Sequence, residues 1–240
     1  MRSAESTLVG RADASAARPS DSPSTLREAV PIFLRHGSPR ILIAWVVIAL
    51  AVRFAVGGVS AWDVAPVAGL LLFWPLQEWL IHVFILHYRP VTVFGRTLDF
   101  PVPRSHRRHH RDPWNIDILF IPSHVFLYAI PLQVALWVGL APTLPLAFTG
   151  LAAFYAFTLH YEWVHYLVHT RYRPKSWLYE RLWRNHRLHH CKNEHYWFGV
   201  TMLSGDRLLG TAPALEDVPT SRTCRTLGLE GDLEGGARAA

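Results

Sequence analysis

Cysteine and charge are both scarce in this 240-residue chain. Two cysteines, Cys191 and Cys224, are too few for a disulfide framework, and nothing else points to oxidising export. Charged residues make up only 18% of the sequence against 50% hydrophobic, which excludes a disordered or collagen-like chain. The first 24 residues lack the apolar core of a secretory signal, and Glu5, Asp13 and Asp21 among the bases argue against a mitochondrial transit peptide. They read as a disordered tail. Lysine and arginine are absent from two stretches, 57–63 and 140–145, and that absence bears on topology.

A mean hydropathy of +0.14 conceals four apolar blocks. Residues 41–59 are interrupted only by Arg53, and 64–86 by Gln77, Glu78 and His82. Residues 118–140 contain His124 and Gln133, and 144–168 are uncharged until Glu162. Each block approaches the roughly 20 residues that cross a hydrocarbon core. A soluble all-α core would instead give its helices a polar face. The expectation is therefore an all-α integral membrane protein with four transmembrane helices. Arg53 is costly inside a bilayer, so it either snorkels outward or marks a shorter, tilted span.

The segments 89–111 and 171–192 are rich in arginine, while the other two connections have no base at all. The positive-inside rule then places both basic segments and both termini in the cytoplasm. Topology and anionic headgroups account for the net charge of +6, with no role for nucleic acid. Three regions are expected. Residues 1–40 form a disordered tail with a possible interfacial helix at 25–37, its Ile32, Phe33 and Leu34 against lipid and Arg27 and Arg35 at headgroups. Residues 41–212 form the membrane-embedded domain, with a helical cap from 88–117 and 170–212. Residues 213–240 are a C-terminal tail.

Ten of the fourteen histidines fall in four tight groups: His82 and His87; His106, His109 and His110; His165 and His169; His186, His189 and His190. The four-span topology brings all of them to one membrane face. Residues three and four apart share a helix face, so each triplet is expected to present three imidazoles in one direction. His82 and His87, five apart, are expected to diverge toward two different metals. Ten imidazoles exceed the coordination number of one ion, so two metals sharing the cluster is the economical reading. His36, His124 and His195 read as packing or capping residues. His160, five before His165, is a candidate for supporting the ligand rings, as are two carboxylates in the spans. Glu78 lies one turn before His82 and Glu162 three residues before His165. Each is expected to accept the free N–H of a metal-bound imidazole, with pairing to arginine as the alternative.

The pattern resembles the fatty acid hydroxylase/sterol desaturase superfamily of integral-membrane di-iron oxygenases, in which His-x4-His, His-x-x-His-His, His-x3-His and a second His-x-x-His-His follow in that order. Tyr161, Glu162, His165, Tyr166 and His169 are similar to a stretch of the fatty acid 2-hydroxylases, with Glu162 in place of Asp. The segment 198–211 resembles the family's closing helix and Gly-Thr. The resemblance runs from about Leu42 to Thr211. It implies that the ten histidines hold two iron ions, with zinc possible in recombinant protein, and that dioxygen is the co-substrate. It also implies hydroxylation of an alkyl C–H of a lipid, with a long-chain acyl group favoured. Sterol or carotenoid hydroxylation or desaturation is the alternative, and a histidine-rich zinc-binding or transport protein a rival of another class. Forty residues before the first block are too few for the fused haem domain common in eukaryotic 2-hydroxylases. Electrons are then expected from a separate electron-transfer protein.

Overall fold

Thr25 opens the first helix of the computed structural model, which describes residues 21–229. The expected tail before residue 21 and the residues after 229 lie outside the described residues. Helix α1, Leu26–Phe33, starts with a capping box between Thr25 and Glu28. It lies against protein more than the interfacial reading foresaw. Phe33, expected against lipid, is buried among Phe120, Trp163 and Tyr166, and the Tyr166 hydroxyl donates to the Ala29 carbonyl at 3.2 Å. Aromatic packing anchors the helix, while Leu34 stays exposed.

Four segments are long and apolar enough to cross a membrane: Gly37–Ala55, Ala61–Leu86, Ile116–Leu140 and Leu144–Val168. The first is α2, Gly37–Ala55. The second holds α3, Val64–Leu80, prolonged by a π-helical turn over Ile81–Leu86. Next come a short hairpin, β1 (Val91–Val93) with β2 (Arg96–Leu98), and α4, Pro101–Arg111. Two 3₁₀ turns then lead to α5, Phe126–Leu140, and the fourth span is α6, Leu144–Val168. Leu72 and Leu127 are 82% and 79% exposed, an outward apolar surface that a hydrocarbon environment would cover.

Helix α6 is central, packing against α2, α3 and α5. Leu42, Ala49, Ile130, Leu151 and Tyr155 form the core between α2, α5 and α6. A Cβ on Gly150 would lie 2.0 Å from the Trp137 ring, so glycine there permits the close approach of α5 and α6. Arg53 does not snorkel. It is buried in the last turn of α2, which ends at Ala55, where it pairs with Asp63 and donates to the carbonyls of Gly57 and Gly58 at 2.8 and 2.9 Å. A cation suits a helix C-terminus, and here it also ties the α2–α3 turn.

The cap is completed by α7, Trp177–Cys191, and α8, Ser204–Leu208. Arg187, fully buried, stacks on Trp183 and donates to the carbonyls of Val168 and Thr170, which binds α7 to the end of α6. Within the stretch read as a C-terminal tail, residues 213–229 are packed: Val218, Cys224 and Leu227 are buried, and Ser221 N donates to Lys192 O at 2.8 Å.

Candidate metal centre

The ten histidines converge into two groups of five, each with ligand nitrogens within 4.8 Å of one another. One group is His82, His87, His106, His110 and His189; the other is His109, His165, His169, His186 and His190. They abut, with His110 and His190 stacked at 4.1 Å between centroids. Two expectations from spacing are corrected. His82 and His87 join the same group, because the π turn closes from His87 N to His82 O and brings residues five apart onto one side. The triplets do not point one way either. His106 and His110, four apart, enter the first group while His109 enters the second. His186 and His190 enter the second while His189 crosses to the first. Adjacent helical positions differ by about 100° in direction, so the odd histidine of each triplet must face elsewhere. Each triplet thus links both groups.

Backbone carbonyls fix several rings. His82 Nδ1 meets Phe198 O at 2.7 Å, His110 Nδ1 meets Cys224 O at 2.9 Å and His189 Nδ1 meets Tyr196 O at 2.8 Å; Leu119 O serves His165. A carbonyl only accepts, so each Nδ1 carries the proton and each Nε2 turns a lone pair inward. There the nitrogens crowd: His87 and His189 Nε2 are 3.2 Å apart, His106 and His110 3.1 Å, His109 and His165 3.2 Å, His186 and His190 3.1 Å. His82 Nε2 is buried with no partner among the described residues. Burial, reinforced by the neighbouring rings, holds His106, His109, His186, His189 and His190 well below the ordinary imidazole pKa. Burial pushes His110 down to about 3. Neutral imidazoles with converging lone pairs are a donor set that fits Fe, Zn, Cu or Ni. Each group could hold a metal ion.

The carboxylates act differently from expectation. Neither Glu78 nor Glu162 hydrogen-bonds a histidine ring. Glu78 accepts from the backbone N–H groups of Val200 and Thr201 and from Thr201 Oγ1. Glu162 accepts from Ile121 N at 2.8 Å and Ser38 Oγ at 2.6 Å. The physical reason is reach: a loop carbonyl already occupies each adjacent ring, and the carboxylate holds that loop two residues further on. Phe198 O serves His82 beside Glu78, and Leu119 O serves His165 beside Glu162. The same device occurs twice. Asp206 of α8 reinforces the first copy, accepting from Phe198 N at 2.9 Å and Gly199 N at 2.8 Å. His160 is exposed and contacts neither group, so the supporting role considered for it finds no partner among the described residues. His36 stacks on Phe120, and His195 lies 3.6 Å from Glu194. Sequence reasoning missed the carbonyls of Cys224, Tyr196 and Leu119. Only Asp206 carried a signal, in the closing segment.

A cavity of about 400 Å³ with a mostly apolar wall runs between α3, α5 and α6. Its lining includes Trp74, Phe154 and Tyr155 together with His106 of the first group and His109 and His165 of the second. That volume lies within the range of small-ligand sites.

A family model described as fatty acid hydroxylase matches residues 67–211. The chain is similar to dihydroceramide fatty acyl 2-hydroxylase FAH2 of Arabidopsis thaliana, 26% identical over 147 residues that cover 61% of this chain and 60% of that one. It is also similar to dihydroceramide fatty acyl 2-hydroxylase FAH1 of the same plant, 25% identical over 158 residues, 65% of this chain and 64% of that one. The match thus spans less than two thirds of either relative's length. A solved structure described as full-length Scs7p, with only the hydroxylase domain visible, superposes with a TM-score of 0.62 at 24% identity, over 77% of this chain and 68% of that one. At that identity the likeness is one of fold.

Proposed function

The chain belongs to the fatty acid hydroxylase family, and from that premise we propose that it is a membrane-bound di-iron oxygenase. It would hydroxylate an alkyl C–H of a lipid, a long-chain acyl group, using dioxygen and electrons from a separate protein. The observation that carries this reading is the apolar cavity lined in part by histidines of both groups.

His82, His87, His106, His110 and His189 would hold one iron, and His109, His165, His169, His186 and His190 the other. Iron so bound supplies, with dioxygen, the oxidising power that acid–base side chains lack against an unactivated C–H bond. The protein's own part is positioning. Trp74, Phe154 and Tyr155 enclose an extended chain away from water, and the cavity directs its reacting carbon toward His106, His109 and His165. The carbonyl-bound rings keep their lone pairs inward before any ion arrives. Zinc, later in the Irving–Williams order, would displace iron in overexpressed protein.

Comparative mass spectrometry of lipids from cells with and without the active chain tests the reaction. Acyl lipids heavier by one oxygen are expected. Acyl lipids lighter by two hydrogens would mean desaturation, and unchanged acyl lipids beside oxygenated sterols or carotenoids would overturn the acyl assignment.

The arginine-rich segments 89–111 and 171–192 support an orientation with the histidine face and both termini cytoplasmic. A cysteine at Arg96 or Lys175 is expected to be shielded from an impermeant thiol reagent outside intact cells. One at Gly58, where a Cβ meets no neighbour, is expected to label. Labelling at Arg96 from outside would reverse the orientation.

A further inference from the structure

Beside the apolar cavity lies a second one of about 440 Å³, between the start of α2, the α4 helix and the 3₁₀ turns that precede α5. Ser105, Ile118 and Ile121 belong to the walls of both. From this second cavity we infer the substrate's polar end: it carries an anionic group, phosphate or carboxylate, received by Arg108. The inference rests on the lipid-hydroxylase reading above and names the substrate class that it leaves open.

Helix α4 divides its labour by face. His106 and His109 turn to the metal groups, whereas Arg104 and Arg108, four apart, line the second cavity. Arg104 is already engaged, with Nε 2.9 Å from Asp99 Oδ2. Arg108 is exposed and has no hydrogen-bond or ion-pair partner among the described residues. The wall's carboxylate, Asp117, interacts electrostatically with His36 and forms no ion pair with Arg108 among the described residues. A guanidinium presents a planar fork that matches the two oxygens of a phosphate or carboxylate, and that charge-assisted pair is stronger than the hydrogen bonds it would donate to a neutral headgroup. The adjoining Ser105 immediately precedes His106. In this inference a head held by Arg108 sends its chain along the shared wall of Ser105 and Ile118 into the apolar cavity that His106, His109 and His165 line. Ser38, also on the second wall, is held by Glu162 of the first.

The test measures binding of single-chain probes to the full chain in nanodiscs of uncharged lipid. Dodecyl phosphate is expected to bind at least about tenfold more tightly than 1-dodecylglycerol, which has the same chain and no charge, a ratio in keeping with one charge-assisted pair. Arg108→Gln is expected to bring the ratio near unity and Arg108→Lys to keep part of it, with thermal unfolding unchanged for both. Equal binding of the two probes to the unmodified chain, or a ratio unaltered by Arg108→Gln, overturns the inference. Competition by inorganic phosphate as strong as by dodecyl phosphate also overturns it, since the site would then hold a free anion rather than a lipid head. The two readings fail separately. Anion preference without any oxygenated lipid would sink the hydroxylase reading alone, and oxygenated lipids without anion preference would sink this one alone.

Discussion

His189→Ala is expected to abolish turnover and to lower the metal content from about two ions per chain to about one. His189 comes from the helix whose other two histidines, His186 and His190, belong to the opposite group. Its loss opens the group built on His82 and leaves the group built on His165 with all five members. His109→Ala is the mirror experiment, because His109 crosses the other way. It is expected to spare the His82 group and empty the other. His36→Ala and His195→Ala, outside both groups, are expected to retain two ions. Metal analysis by mass spectrometry on protein purified in each form checks all four. Two ions and full turnover in either crossing variant would break the assignment of five ligands to each metal.

That crossing was out of reach of pattern reading, though the cluster was not. The four blocks were legible because nearly uncharged runs of this length have few other uses, and the structure ends its helices within a few residues of them. The histidine groups were legible because loops of matching charge put them on one face. The division between metals was not, because the His-x-x-His-His spacing by itself suggests a single stripe. On a helix the second and third of those histidines lie about 60° and 40° to opposite sides of the first, about 100° from each other, and here the third stays with the first while the second turns to the other group. The pairing of His82 with His87 needed the π turn at Ile81–Leu86, and a five-residue spacing does not announce one. The carbonyls of Phe198, Cys224 and Tyr196 were invisible for a simpler reason. Every residue has a carbonyl, so composition carries no trace of which ones are used. Glu78 and Glu162 were legible as exceptional, being buried carboxylates in apolar blocks. Their partners were not, since backbone N–H groups of distant loops leave no side-chain signature.

Those partners set the second large effect. Glu78→Leu is expected to destabilise the fold and strip metal from the His82 group, and Glu162→Leu to do the same to the His165 group more mildly. Leucine at 78 leaves two buried backbone N–H groups and the Thr201 hydroxyl without an acceptor. At 162 it leaves one N–H and the Ser38 hydroxyl. Each stranded buried donor costs about 1–3 kcal/mol, so the loop rearranges rather than bear it. When the 198–201 loop moves, Phe198 O leaves His82 Nδ1, and that ring loses both its orientation and its fixed tautomer. Glutamine separates this positioning role from a role for the charge. Its amide oxygen can accept both N–H groups that Oε1 accepts now, and its NH₂ can donate to Thr201 Oγ1. Glu78→Gln and Glu162→Gln are therefore expected to retain near-normal metal content and unfolding temperature where the leucine variants do not. If glutamine empties a group as thoroughly as leucine does, the negative charge itself sustains the metal and the bracing account is wrong. If leucine at either position leaves both groups filled, the loop carbonyls do not depend on the carboxylates at all.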